Sequence, residues 1–213
     1  HISHFSIFTD GPENTYGAVH QFEDNPQKWV LSMDVVDAFS GENFNARELT
    51  YTLVHEFGHI LTLNETQIDV DSGIYYIESG QTFEEIFEQK IAECAPHIFI
   101  EEGCSNEGST IDLFYQRFWK DIKNEHDSIQ EIENDDAYQA ALDAFYEKHQ
   151  DQFVTPYAAT NLGEDIAESF TAFVLKDKPT QEKIIADKKI LFFYENEYLV
   201  RLRNSIRTAI ARQ

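Results

Sequence analysis

With 213 residues the chain has room for one sizeable core and at most two small domains. Its 42% hydrophobic and 14% aromatic content excludes a disordered acidic chain. The balance of 16 basic against 39 acidic side chains, a formal net charge of −23, repels a phosphate backbone, so nucleic acid is not expected as a partner.

The first 45 residues alternate short apolar runs with turn signals. Residues 5–8 precede Asp10-Gly11-Pro12, residues 16–22 precede Asp24-Asn25-Pro26, and over 29–36 Val30, Ser32 and Asp34 alternate with Leu31, Met33 and Val35. These read as strands. After Ser40-Gly41, Leu49, Leu53, Phe57, Ile60 and Leu61 recur at helical spacing just beyond a cap at Asn45. A polar stretch, 64–80, follows, and then helical patterns over 83–95, 111–123, 136–150, 164–175 and 180–212, the last broken near Asp187.

Asp69-Val70-Asp71-Ser72-Gly73 begins like a calcium loop but lacks the twelfth-position glutamate, residue 80 being glycine, and reads as an acidic turn. The cluster Phe114, Tyr115, Phe118 and Trp119 is at core spacing. Cys94 and Cys104 flank a segment containing Pro96 and Gly103, a spacing compatible with a disulfide closing a surface loop. Such a bridge needs an oxidising compartment. No run approaches the roughly 18 apolar residues that span a bilayer, and the chain starts at His1 like a mature or trimmed piece. A secreted or cell-surface protein without a transmembrane segment is the expectation.

Strands first and helices afterwards, with no internal repeat, predict an α+β fold. We expect a single domain over 1–213, with an N-terminal lobe of about 1–63 holding a small, mainly antiparallel sheet and a helical C-terminal lobe of about 64–213.

The chemistry rests on His55-Glu56-Phe57-Gly58-His59. Residues four apart on a helix share a face, so His55 and His59 can offer two imidazole nitrogens to one metal, with Glu56 beside it. Catalytic zinc takes three protein ligands and keeps one position for water, whose proton a nearby glutamate accepts. Thr62 and Glu65 stand where the elongated histidine motif would place glycine and histidine, so the third ligand must come from elsewhere.

Glu164-Asp165-Ile166-Ala167-Glu168 fits a second helix in which Glu164 binds zinc and Glu168, one turn on, orients an imidazole. Glu84 and Glu88 compete, but a solvated face already explains that pair. The carboxylates at 164 and 168 sit beside Ile166, Phe170, Phe173 and Val174 and have more need of a partner. The remaining histidines, His1, His4, His20, His97, His126 and His149, show no ligand spacing.

The segment Tyr157-Ala158-Ala159-Thr160-Asn161-Leu162-Gly163-Glu164-Asp165-Ile166-Ala167-Glu168 resembles the second signature of the anthrax lethal-factor-like zinc metallopeptidases, and HEFGH at 55–59 resembles their first. A general group of zinc-binding metallopeptidases with a glutamate-aspartate-aromatic-alanine-glutamate signature is an equally good home, and both belong to the gluzincin clan. The resemblance covers only these two segments. It implies a zincin-like fold, zinc held by His55, His59 and Glu164, Glu56 as general base, and Tyr157 directed at the reacting carbonyl oxygen. A phenol there would stabilise a developing oxyanion. About a hundred residues separate His59 from Glu164, more than lethal factor itself leads one to expect, so the intervening helices and the cysteine loop would build a different cleft.

The expected activity is therefore zinc-dependent peptide hydrolysis by an endopeptidase. Its protein or peptide substrate would lie extended against an edge strand drawn from 16–21 or 29–35. The alternatives are a catalytically silent zincin-fold binding or toxin-associated module, against which the intact Glu56 argues, and a structural metal or none.

Overall fold

Alternating apolar residues near the N-terminus form three strands: β1 (Ile2–Phe8), β2 (Gly17–Phe22) and β3 (Asn25–Asp34). The computed structural model describes residues 2–11, 15–22, 25–39, 46–70, 74, 80–100 and 102–212. By its internal contacts the chain divides into two compact units, His1–Gln116 and Arg117–Gln213. The overall class is α+β, with a small N-terminal sheet and a mainly helical C-terminal part.

In the first unit the strand order is β1-β3-β2, with β2 antiparallel and β1 parallel to β3. The sheet is thus mixed rather than mainly antiparallel. The reason is the order of insertion. The chain reverses after β1 and again after β2, and β3 then takes the place between them, which aligns β3 with β1. β3 is consequently the central strand, with Trp29 and Val30 both buried although they point to opposite faces. Residues 29–35 therefore cannot supply an edge, whereas β2 does.

Asp34 at the end of β3 is fully buried and caps the short helix α1 (Val35–Phe39). Its Oδ1 accepts the N–H groups of Val36 (2.7 Å) and Asp37 (3.0 Å), and its Oδ2 that of Asp10 (2.8 Å).

Helix α2 (Ala46–Thr62) carries the HEFGH segment and packs on β2. Gly17 permits that approach: a Cβ there would meet Ser32 O at 3.0 Å and Thr52 Cγ2 at 3.3 Å. The buried residues are Val54, His55, Glu56, Gly58, Ile60 and Thr62, while Leu53 is exposed, so the packed face is rotated from the stripe read through Leu49 and Leu53. Asn64 stops the helix by donating from Nδ2 to Ile60 O (2.8 Å) and Leu61 O (3.1 Å). The expected cap at Asn45 and the Ser40-Gly41 turn lie outside the described residues.

A second small antiparallel sheet, β4 (Ile68–Asp69), β5 (Phe99–Ile100) and β6 (Gly103–Ser105) in the order β4-β6-β5, occupies a region without a strand signal in the sequence. Strands of two or three residues cannot display alternation. Gly103 makes the pairing possible, with φ +140° and Asp69 O only 2.2 Å from where a Cβ would stand. Helix α3 (Phe83–Cys94) starts in a capping box between Thr82 and Glu85, and its last residue is joined to β6 by the Cys94–Cys104 disulfide. Of the acidic turn beginning at Asp69, residues 71–73 lie outside the described residues.

The single helix expected over 111–123 is instead α4 (Thr110–Phe114), a π-helical turn at Tyr115–Trp119 and, after a bend, α5 (Lys123–Gln130). Phe114 and Trp119 are core residues, as their spacing implied.

The second unit continues with α6 (Asp135–Lys148), α7 (Leu162–Leu175), α8 (Ile185–Phe192) and α9 (Glu197–Ile210). The break placed near Asp187 falls later, at a 3₁₀ turn over Phe193–Glu195. Asp187 instead lies in the first turn of α8, where its Oδ2 accepts the N–H groups of Lys183 (3.0 Å) and Ile184 (3.4 Å). Among the described residues no helix is long and apolar enough to cross a membrane.

Helix α7 is the core of this unit. Ile166, Phe170, Phe173 and Val174 are all but inaccessible, and Phe170 and Phe173 pack on Phe193 at ring distances of 5.7 and 5.5 Å. Its C-terminal carbonyls are met by arginines of α9: Arg203 Nε donates to Phe173 O (2.6 Å) and Arg207 Nη1 to Val174 O (3.1 Å).

Its first turn is held by Asp165, which has no solvent exposure. Trp119 Nε1 donates to Asp165 Oδ2 (2.6 Å), Ser169 Oγ to Oδ1 (3.3 Å), and Lys189 Nζ of α8, itself inaccessible, also reaches Oδ2. Lys189 Nζ in addition lies 4.4 Å from the Phe153 ring centroid. Burial pushes the Asp165 carboxyl up and the Lys189 ammonium down, with their mutual attraction opposing both shifts. A pair so placed is expensive to break from one side only. Lys189→Met should cost about 3–5 kcal/mol in denaturant unfolding followed by circular dichroism, and Asp165→Asn added to it should recover much of that loss.

Candidate metal centre

In the first unit, α2 sets the geometry of the expected ligands. His55 and His59 stand one turn apart, with Nε2 atoms 3.1 Å from each other and rings edge-to-face at a centroid distance of 4.9 Å. Two nitrogens each about 2.0–2.1 Å from zinc at a tetrahedral angle would be about 3.3 Å apart, and 3.1 Å corresponds to an angle of roughly 100°. The pair therefore fits a shared metal ion. The same separation also accommodates an N–H···N hydrogen bond whose direction the tautomers decide. His55 and Glu56 are buried, and His59 is half-buried.

In the second unit, a 3₁₀ turn at Tyr157–Ala159 packs against the start of α7. Ala158 and Ala159 are fully buried, which brings the two backbones close, whereas Tyr157 is 55% exposed. Asn161 caps the helix by accepting the Glu164 N–H at 2.9 Å. Glu164 is half-buried in the first helical turn, and the fully inaccessible Asp165 beside it points into the core. Glu168 is buried, and its Oε2 accepts the Thr155 hydroxyl at 2.7 Å while Thr155 Oγ1 also accepts the Ala158 N–H at 3.2 Å. One threonine thus ties the turn that carries Tyr157 to the carboxylate expected to orient an imidazole.

The rival pair Glu84 and Glu88 is exposed on α3, as a solvated face requires, and among the described residues neither belongs to a group of three potential ligands. Three of the histidines set aside have other partners: His4 stacks on Phe22, His97 Nδ1 lies 2.9 Å from Asp112 Oδ1, and His149 Nε2 lies 3.0 Å from Glu125 Oε2. His126 is a buried core residue.

The groups that support these residues have little signature in the sequence. Asp165 was legible only as the residue between two glutamates, and its partners Trp119 and Lys189 lie 46 and 24 residues away. Lys189, directly before Ile190, Leu191 and Phe192, is the one local sign that a charge is taken into the core.

A second acidic group, also unforeseen, gathers Asp10, Asp34 and Asp37. Asp34 explains much of it as a cap. Burial works to raise the Asp34 carboxyl, but the N–H groups of Asp37, Asp10 and Val36 outweigh it and hold the group below its ordinary 3.8. Burial together with the charges of Asp34 and Asp10 pushes Asp37 up. Comparisons with protein-family profiles, curated proteins and solved structures return no match to this chain.

A carboxyl depressed on folding stabilises the protein above its unfolded value and loses that contribution as the pH falls through the folded value. Asp34→Asn should therefore be less stable than wild type at neutral pH. The gap should narrow on acidification below 3.8, as read by thermal melts across a pH series.

Proposed function

We propose that this chain is a zinc-dependent metallopeptidase of gluzincin type that cleaves peptide bonds internally. The observation that carries the reading is the pair of converging imidazoles on α2 with Glu56 next to His55 on the same buried turn. The proposed donor set is two imidazoles, His55 and His59, and one carboxylate, Glu164. Three protein ligands leave a coordination position open, which is what separates catalytic from structural zinc sites. When bound, the metal supplies Lewis acidity, acidifying a water molecule and polarising an acyl carbonyl.

The chain's own groups do the rest. Glu56 accepts the proton of the attacking water and passes it to the departing amine. Tyr157 donates a hydrogen bond to the oxyanion that develops on the carbonyl. Glu168, fixed by Thr155, orients an imidazole. The substrate backbone adds in extended form to the edge strand β2, against which α2 packs. A disulfide-bearing chain with this activity is suited to the outside of the cell, as a secreted or surface-attached protein.

The test is zinc content and cleavage of a fluorogenic peptide library, compared across three proteins. Wild type should hold one zinc per chain and cleave. Glu56→Gln should keep its zinc and lose about 10²–10⁴-fold in turnover. Glu164→Ala should bind zinc much more weakly. No zinc in reconstituted wild type, or undiminished turnover in Glu56→Gln, would overturn the proposal.

A further inference from the structure

Helix α7 starts just after its cap residue Asn161, and a histidine from another helix reaches the peptide that leads into that cap. His126 of α5 is 4% exposed, with its ring edge-on to Trp119 (5.1 Å between centroids) and to Phe145 (5.4 Å). Its Nε2 lies 2.8 Å from the carbonyl oxygen of Thr160. A carbonyl can only accept, so Nε2 carries the hydrogen and donates.

Thr160 is the hinge between the two functional segments. Its N–H closes the 3₁₀ turn on Tyr157 O at 3.1 Å, and its carbonyl belongs to the peptide that leads into Asn161. There the backbone passes from helical (φ −64°, ψ −44° at Thr160) to fully extended (φ −166°, ψ 173° at Asn161) and then into α7. This peptide joins a helical residue to an extended one, and its carbonyl is held by His126. Without that bond the Thr160 ψ and Asn161 φ torsions are freer to drift, which would displace Asn161 and loosen its side-chain bond to the Glu164 N–H in the first turn of α7. Asp165 is anchored by Trp119 and Lys189 on the core side of that turn, Thr155 ties the 3₁₀ turn to Glu168, and His126 holds the corner peptide between them.

We infer that His126 is a positioning residue for the proposed metal site, acting through the Thr160 carbonyl to fix the corner from which Tyr157 and Glu164 diverge. The inference rests on the zinc reading above. The bland alternative is a core hydrogen bond that supports folding and nothing else. Burial holds the His126 imidazole below its ordinary pKa, so it serves as a neutral donor at pH 7.

Two variants separate these possibilities. His126→Phe keeps an aromatic ring and removes the donor, and His126→Gln places an amide N–H at about the reach of Nε2. Cobalt(II) is loaded in place of zinc, and its affinity and visible absorption are recorded beside the melting temperature. Loss of a hydrogen bond that orients a ligand from behind typically weakens metal binding about 10–100-fold. His126→Phe should show a loss in that range with an altered cobalt spectrum, and His126→Gln should restore most of both.

Wild-type affinity and spectrum in His126→Phe, whatever its melting temperature, would overturn the inference. So would equal losses in the two variants. Should His126→Phe fail to fold, His126→Leu takes its place as the variant without a donor and is judged against His126→Gln by the same outcomes. Failure of the zinc reading would be visible before any substitution, as wild type that takes up no cobalt, and the inference would fall with it.

Discussion

A single buried carboxylate, Asp165, sets the orientation of the helix that carries Glu164 and Glu168 in the second unit. Trp119, Ser169 and Lys189 all converge on it, and Asp165, Ser169 and Lys189 have no contact with solvent. An ion pair in such surroundings contributes little net stability, since desolvation offsets most of the attraction. What it does provide is direction. With residue 165 fixed inward, helical geometry dictates that Glu164 lies about 100° around the axis and that Glu168 returns to nearly the same face as Glu164. The arginines of α9 secure the other end of α7, and aromatic packing on Phe193 secures its middle. Such a helix presents its side chains from a rigid element, as a precise ligand geometry requires.

In the first unit the comparable constraint is the seat of α2 on β2. Gly17 lets the helix come close, and Asn64 ends it one residue after Leu63, so the HEFGH turn is neither at a frayed end nor in a loop. The two imidazoles meet because four residues make one turn, and their nitrogens are near enough to share an ion without rearrangement of the helix. The proposed chemistry asks little more of this unit than that pair, Glu56 beside it and an available edge on β2.

The parts of this arrangement legible in the sequence were those encoded within a few residues. Helical periodicity located α2, α3, α6 and α7 to within about two residues, and turn signals located the three N-terminal strands. The disulfide followed from the spacing of two cysteines. What escaped was set by distant partners. The parallel pairing of β1 depends on where β3 inserts, the split of the 111–123 helix on the burial of Trp119 against a residue of α7, and the second sheet on strands too short to carry a pattern. The residue types and their spacing named the candidates, but of the groups around them Thr155, His126 and Trp119 carry no local signature, and Lys189 only its place before an apolar run.

The central claim is that one zinc ion is held by exactly two imidazoles and a carboxylate, with no sulfur. X-ray absorption at the zinc edge of the reconstituted protein tests it most directly. The account predicts a first shell of nitrogen and oxygen only, at about 2.0–2.1 Å, with outer-shell scattering that counts two imidazoles. Sulfur at about 2.3 Å, or an imidazole count other than two, would contradict it.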